Sequence, residues 1–281
     1  MRVLVTGEEG FTARHLAPLL VAHGHEALPL AADLTRPAEV AQRVSALMPD
    51  AVVHLAAISF VPDSTDARVY AVNTVGTVTL LDALAGLARP PRRVVLASSS
   101  HVYGTQAGRL AEDAPLQPVT HYGASKLAME CVARPYRERL GVVIARPFNY
   151  TGVGQGERFL VPKLVAAFRA HFPELRLGNR NVARDFSDVR HIVRAYFALL
   201  TADDVEAVYN LCSGRPVTIE ALLAALEAQT GHRPRIVTDS ALVRPNETPV
   251  QYGDPARMER LLGTAAPPVE DVLRWMLRQP A

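Results

Sequence analysis

The stretch MRVLVTGEEGFTA, residues 1–13, decides the fold. RVLVT (2–6) is a short run rich in β-branched apolar residues, the composition of a strand buried on both faces. It stops at Thr6-Gly7, and a helix-like pattern follows as far as His23. Strand, glycine-rich turn and helix form the opening unit of a doubly wound sheet. The spacing Gly7-x-x-Gly10-x-x-Ala13 permits a tight turn and lets backbone N–H groups approach a pyrophosphate at the positive end of a helix. Many turns look like this one, so its weight comes from its place between the first strand and the first helix. Glu8 and Glu9 count against a diphosphate site, because carboxylates repel phosphates. They are expected to point to solvent.

Outward from this unit the rhythm repeats. EALPL (26–30) is a weaker strand, and TRPAEVAQRVSALMP (35–49) reads as a helix with Thr35 as N-cap and Pro37 in its first turn. AVVHLAA (51–57) is the third strand and RRVVLAS (92–98) the fourth, with a helical pattern from about 66 to 87 between them. YGASKLAMECVARPYRERL (122–140) is a helix expected to bend at Pro135, and GVVIARP (141–147) is the fifth strand. The alternation predicts an α/β, doubly wound parallel sheet of Rossmann type, with right-handed crossovers and a ligand crevice at the carboxyl ends of the strands.

After Pro147 the pattern changes. FNYTGVGQGERF is a glycine-rich loop, a helix follows at about 159–171, and AVYNLCSG (207–214) returns to the sheet. The segment beyond Ser213 is helical and then proline-rich. These features predict a smaller, mostly helical lobe over the crevice, built from about 151–184 and 213–281. The dinucleotide-binding unit is then 1–150 with about 185–212.

Composition narrows the function classes. A chain of 281 residues allows one large domain or two small ones, and 49% apolar residues suffice for a sizeable core. A net charge of +2 with 21% charged residues suggests neither a nucleic-acid nor a membrane-surface partner. Cys131 and Cys212 have no metal-like or redox spacing, so reduced thiols in the cytoplasm and no metal site are expected. No apolar run approaches the roughly 18 residues of a membrane-spanning helix, and the opening reads as a strand rather than a signal peptide. Of 30 basic residues only two, Lys126 and Lys163, are lysine. Arginine does not replace lysine where a compact amine with a tunable pKa is needed.

Two ends of a site follow from position. Asp33, in AADLT after the second strand, is placed to accept from an adenine amino group; the competing reading is a turn residue at a helix entry. Just after that strand, where an acid would hold the ribose 2′-hydroxyl, stand Ala31 and Ala32. No arginine suited to a 2′-phosphate is evident either, so the choice between NAD and NADP is open. At the other end, HYGASK places Tyr122 and Lys126 four residues apart on one helix face, with a rise of roughly 6 Å. A free tyrosine has a pKa near 10, and lowering it by about three units takes roughly 4 kcal/mol of differential interaction, which a neighbouring ammonium favours. Tyr-x-x-x-Lys is common by chance and is usually a surface pair. Here it follows the fourth strand and uses one of two lysines.

Taken in order, TGEEGFTA, HLAA (54–57), VNTVGT (72–77), SSSHVYG, YGASK and ARPFN make the chain resemble the extended short-chain dehydrogenase/reductases. The resemblance implies NADPH or NADH and a catalytic set of Ser99, Tyr122 and Lys126. It implies cofactor contacts from Gly7, Gly10, Phe11, Thr12, Asp33, Leu34, Leu55, Ala56, Ala57, Asn73 and Pro147, beside Tyr122 and Lys126. Ser98 and Ser100 read as strand-end polar residues, and the resemblance brings Ser100 to the substrate.

The later segments ARPFNYTGVGQGERFLVPKL, VARDFSDVRHIVRAYFALL, VYNLCSG and RPNETPVQYGDPARMERLLG are similar to reductases of GDP-6-deoxy-4-keto-mannose and to GDP-mannose 4,6-dehydratases. That similarity implies further substrate contacts from His101, Asn149, Leu160, Lys163, Arg184 and Arg244, the two arginines on the diphosphate. Any single arginine in this chain is more often solvated or paired at the surface, and Glu247 reads as structural.

His101 stands where the similar dehydratases carry a glutamate. The similar fucose-forming epimerase/reductases pair a cysteine there with a histidine on the loop before VP, where this chain has Phe159. The expected activity is therefore NAD(P)H-dependent reduction of the C4 ketone of a GDP-4-keto-6-deoxyhexose, most simply to GDP-D-rhamnose, with His101 as a sugar contact. One alternative is a dehydratase or epimerase that uses His101. Another is a non-catalytic NAD(P)-binding regulator, for which Glu8 and Glu9 speak. A homodimer is expected through helices 66–87 and 122–140, whose Val72, Val75, Leu80, Leu81, Leu127, Met129 and Val132 exceed what one sheet face obviously covers.

Overall fold

Six parallel strands form the central sheet of the computed structural model, which describes residues 1–59, 68–243 and 247–279. Their spatial order is Val208–Leu211, Val142–Pro147, Arg93–Ala97, Ala51–His54, Arg2–Thr6, Glu26–Pro29. The strands expected from apolar runs are all present, and the run 207–214 joins the sheet edge beside Val142–Pro147. Alternate residues of one strand serve two cores. Val3 and Val5 pack with Leu16, Leu20, Ile192 and Leu199 on one face, while Leu4 packs with Val44, Leu80, Leu81 and Met129 on the other. Helices Phe11–Ala22 and Val189–Thr201 cover the first face, and Pro37–Leu47, Gly76–Ala85 and His121–Ala133 cover the second.

The strand order reverses at Arg2–Thr6. The second strand lies on one side of it and the third on the other, so the crevice opens there, at the carboxyl ends. Gly7 turns the chain at this point with φ +69°, and a Cβ on it would stand 2.8 Å from the Ala56 nitrogen. Only glycine meets both conditions.

Three expectations are corrected. Thr35 does not cap the second helix, which begins at Pro37 after Arg36; the Thr35 hydroxyl and N–H both donate to Asp33 instead. The helix expected over 66–87 is described from Arg68 to Ala85 and widens to a π-turn at Ala71–Val75. The Thr77 hydroxyl donates to the Asn73 carbonyl across that widened turn. Of the apolar side chains that suggest a homodimer, Leu80, Leu81 and Met129 are buried on the sheet, while Val75 is 59% exposed. Finally, the lobe over the crevice is less helical than expected. Beside helices Leu160–Arg169, Ile219–Thr230 and Val269–Arg278 it holds a sheet of Pro216–Thr218, Ala183–Asp188, Val250–Gly253 and Gly108–Leu110, and a pair Glu174–Leu177 with Arg235–Thr238. The bend at Pro135 is present as a 3₁₀ turn at Arg134–Tyr136.

The boundaries drawn from sequence are crossed by packing. Gly108–Leu110 lies within 1–150 yet pairs with Val250–Gly253, and Met258, beyond 213, sits in the core under the central sheet. Buried Asp185 ties the parts together, accepting from the N–H groups of Ser213 at 2.8 Å and Gly214 at 2.9 Å and from the Ser213 hydroxyl at 2.8 Å. Burial raises the pKa of this carboxyl against the pull of those donors.

Candidate active site

A cavity of about 1070 Å³ runs along the carboxyl ends of the strands and under the lobe. Its first end is the glycine turn. Helix Phe11–Ala22 starts from Gly10 with no side chain capping it, so its first N–H groups are left for a ligand. A Cβ on Gly10 would stand 2.9 Å from the Gly7 carbonyl oxygen, so this cradle also excludes larger residues. Thr12 shares a hydrogen bond of 2.7 Å with the Tyr150 hydroxyl, and Phe11 stacks on the Tyr150 ring with centroids 6.0 Å apart. Gly7, Gly10, Phe11, Thr12, Asp33, Leu34, Leu55, Ala56, Ala57 and Pro147 all line the cavity. A flat, uncapped cradle leading into an apolar-walled trough fits a dinucleotide.

Glu8 departs from expectation. Its carboxylate is turned back to accept the Ala31 N–H at 3.0 Å instead of pointing away to solvent; Glu9 is exposed. Asn73, expected both to support the site and to touch the cofactor, is seen in the supporting place. It is fully buried and does not line the cavity. Its side-chain oxygen accepts from the Ile58 N–H at 2.9 Å, and its amide donates to Ile58 O at 3.2 Å and to the Ser125 hydroxyl at 3.1 Å. It thus holds the wall residues rather than a ligand.

A directed chain of hydrogen bonds supports this wall. Thr77 gives its one hydroxyl proton to Asn73 O, so it accepts from His54 Nε2 at 2.9 Å. His54 Nδ1 then accepts from the Thr6 hydroxyl at 2.7 Å, and Thr6 accepts from the Ala56 N–H at 3.1 Å. The donor count assigns this tautomer. Burial, with the Lys126 charge assisting, holds His54 neutral with its pKa down to about 3.

The second end holds the Ser–Tyr–Lys set. The strand Arg93–Ala97 delivers Ser98, Ser99 and Ser100 at its carboxyl end, and a 3₁₀ turn at Ser100–Tyr103 follows. Thr120 caps helix His121–Ala133 by accepting the Gly123 N–H at 3.0 Å. Gly123 lets this helix start against the turn: a Cβ there would come 2.6 Å from the His101 carbonyl oxygen. Tyr122 and Ser99 consequently line the same cavity, close enough for Ser99 to draw the Tyr122 pKa down. Ser99 Oγ is 3.0 Å from His101 Nδ1 and accepts the His101 N–H at 3.2 Å. The His101 ring packs edge-on to Tyr122, centroids 5.3 Å apart.

Lys126 is 2% exposed and donates from Nζ to the Ala97 carbonyl at 2.7 Å. Burial brings its pKa down to about 8, against the attraction of Glu130. The phenol of Tyr122 does not follow the expected downward shift. Burial pushes it up to about 12, the Ser99 hydroxyl opposes this, and the neighbouring Tyr150 adds to it. With Lys126 turned to Ala97, desolvation of the phenolate dominates.

Behind these residues lies a buried ion pair. Glu130, one turn beyond Lys126, accepts from Arg146 Nη2 at 2.7 Å and Nε at 2.9 Å, and from the Ser98 hydroxyl at 2.5 Å. Arg146 also donates to the Tyr103 hydroxyl at 2.9 Å. The Ser98–Glu130 bond ties the strand end that carries Ser99 to the helix that carries Tyr122 and Lys126, and the ion pair ties that helix to strand Val142–Pro147.

Under the lobe the cavity takes in Ser100, His101, Asn149, Leu160, Lys163 and Arg184. Lys163 donates to the Arg176 carbonyl at 3.2 Å. Arg184 pairs with Glu247 at 3.2 Å and donates to the Thr248 carbonyl at 2.7 Å, so Glu247 orients it. Arg244 lies outside the described residues. Sequence reasoning missed Tyr150, Arg158, Arg176 and Asn179, which share the cavity. Tyr150 had a signal, the alternation of FNYT after a sheet strand; Arg158 and Asn179 lie in loops and Arg176 on the short strand Glu174–Leu177, with none. Cys131 is exposed and Cys212 buried, both as free thiols. Among the described residues no cluster of His, Cys, Asp and Glu is arranged to hold a metal, and no helix is long and apolar enough to cross a membrane.

Comparison with known proteins agrees with this geometry. Residues 3–212 match the model of the NAD dependent epimerase/dehydratase family. The chain is 33% identical over 269 residues to the GDP-6-deoxy-D-talose 4-dehydrogenase of Aggregatibacter actinomycetemcomitans, covering 94% of this chain and 92% of the relative. It is 35% identical over 278 residues to the GDP-6-deoxy-D-mannose reductase of Pseudomonas aeruginosa, covering 93% and 91%. Among solved structures, a putative epimerase from Burkholderia cenocepacia superposes with a TM-score of 0.92 at 39% identity, over 98% of this chain and 96% of that one. The RMD protein of Pseudomonas aeruginosa, solved with NADPH, superposes with a TM-score of 0.87 at 32% identity, over 98% and 96%.

Proposed function

Because this chain belongs to the NAD dependent epimerase/dehydratase family, we propose that it is a nicotinamide-dependent oxidoreductase of a GDP-linked 6-deoxyhexose, reducing the C4 ketone of a GDP-4-keto-6-deoxyhexose to give GDP-D-rhamnose. The observation that carries the reading is the meeting of Ser99, Tyr122 and Lys126 in the lining of one cavity. The bound dinucleotide supplies a hydride to C4. Tyr122 gives its phenolic proton to the C4 oxygen as charge develops there, and Ser99 donates to the same oxygen to fix the carbonyl. A phenol pushed up to about 12 is protonated at neutral pH, the form that reduction consumes. Lys126, buried and cationic, would hold the nicotinamide ribose of a bound cofactor. The Gly7–Gly10 cradle would hold the cofactor pyrophosphate. Arg184, Lys163, Arg158 and Arg176 offer four cations to the sugar nucleotide diphosphate. Asn149 and Leu160 complete that end, and a homodimer would form through helices 66–87 and 122–140, where Val75 stays exposed.

The decisive assay supplies GDP-4-keto-6-deoxymannose with NADH or NADPH, and separately GDP-mannose with NAD or NADP. Reduction in the first with no 4-keto-6-deoxy product in the second is expected. The contact of His101 with Ser99 and Tyr122 favours one other reading, a 4,6-dehydratase with His101 as base. Steady dehydration of GDP-mannose, lost in His101→Ala, would establish it in place of the reductase.

A further inference from the structure

Glu8 stands in the glycine turn, yet its carboxylate is spent at the neighbouring strand. It accepts the N–H of Ala31 at 3.0 Å, just past the carboxyl end of strand Glu26–Pro29. Ala31 holds φ +48°, a left-handed conformation unusual for a residue with a side chain. That conformation accompanies an N–H directed to Glu8 across the crevice. Glu8, Ala32, Asp33 and Leu34 line the same end of the cavity.

In doubly wound dinucleotide sites, the end of the second strand is where the adenosine ribose is read. An acid there accepts from the 2′-hydroxyl of NAD, and an arginine there accommodates the 2′-phosphate of NADP. This chain has alanines at the strand end, and the carboxylate arrives instead from the glycine turn. The nearby cations are already engaged. Arg36 lies 3.7 Å from Asp33 and 3.8 Å from Glu39, and Arg43 donates to the Leu30 carbonyl at 3.0 Å.

We propose that Glu8 reads the 2′ position of the cofactor ribose, accepting from a hydroxyl and repelling a phosphate, so that the protein favours NADH over NADPH. The proposal rests on the reading of this crevice as a nicotinamide dinucleotide site. A 2′-phosphate carries close to two negative charges, and beside a partly shielded carboxylate that repulsion weakens binding at least about tenfold at low ionic strength. The 2′-hydroxyl meets an acceptor already fixed in place by Ala31.

The test is calorimetric titration of the full chain with NADH and with NADPH, for wild type, Glu8→Gln and Glu9→Gln, with thermal melting to confirm folding. Wild type is expected to bind NADH at least about tenfold tighter, with the gap narrowing as salt screens the repulsion. Glu8→Gln keeps an acceptor oxygen without the charge. It should tighten NADPH about tenfold or more while NADH moves by less than about threefold. Glu9→Gln removes the same charge from the adjacent exposed position and should leave the ratio within about threefold. Equal or tighter binding of NADPH by wild type overturns the assignment, as does an unchanged ratio in Glu8→Gln. Binding of neither dinucleotide by a folded wild type would overturn the cofactor reading itself, and the assignment with it.

Discussion

Gly123→Ala should cripple the enzyme at a place where helix propensity says it should help. Gly123 lies in the first turn of helix His121–Ala133, beside Tyr122. Glycine to alanine within a helix ordinarily stabilises by about 0.5–1 kcal/mol. Here the new Cβ would stand 2.6 Å from the His101 carbonyl oxygen and 3.1 Å from the Pro118 side chain. Reaching ordinary contact beyond 3.4 Å requires the helix start and the 3₁₀ turn to part by about 0.8 Å. The obstacle is backbone, which cannot swing aside as a flexible side chain would. The strain costs about 1–3 kcal/mol, and the displacement separates Tyr122 from Ser99. A misplacement near 1 Å costs on the order of 10²-fold in rate. The assay is kcat/KM for the keto sugar, with dinucleotide Kd and Tm measured alongside. A loss of that order with Kd within a few-fold is expected, since the glycine cradle is untouched. Activity within about threefold of wild type and a raised Tm would refute the claim that this contact sets the Tyr122–Ser99 geometry.

Three other outcomes follow. Lys126→Arg should lose most activity despite keeping its charge, because a planar fork does not fit a 2%-exposed site built for one amine on the Ala97 carbonyl; a normal pH–rate profile in that variant would contradict this. Glu130→Gln should destabilise by about 3–5 kcal/mol by leaving Arg146 buried without its counter-charge, read as a lower urea midpoint at unchanged m; a shift under about 1 kcal/mol would show the pair to be dispensable. Burial holds His54 and His191 neutral, with pKa values down to about 3 and about 4, below an unfolded histidine near 6.5. The unfolded chain therefore binds more protons in acid. This contribution is complete above about pH 6.5 and falls by about 1.4 kcal/mol per pH unit for each histidine down to about pH 4, so equal urea midpoints at pH 7.5 and pH 5 would contradict it.

The central sheet was legible because a parallel strand covered on both faces reads as an unbroken apolar run, as VVLA of Arg93–Ala97 does. Tyr122 and Lys126 were legible because helical spacing alone puts them on one face. The lobe strands Gly108–Leu110 and Pro216–Thr218 were not, being three residues long with polar or proline positions; their pairing comes from distant segments such as Val250–Gly253. The raised phenol of Tyr122 was missed because spacing shows a lysine nearby but not that its ammonium is tied to Ala97. Glu8 was misjudged for the same reason. Local charge logic sends it to solvent, and only the tertiary approach of Ala31 supplies a donor that holds it.

The central claim is that Tyr122, beside Ser99 in the cavity, delivers the proton that completes reduction at C4. Its most direct test is the rate of NADH or NADPH oxidation by GDP-4-keto-6-deoxymannose, compared between wild type and Tyr122→Phe at saturating cofactor. The account predicts turnover to the C4 alcohol in wild type and a loss of about 10²-fold or more in the variant, with dinucleotide Kd held within a few-fold. A variant that keeps more than about a tenth of the wild-type rate would contradict it.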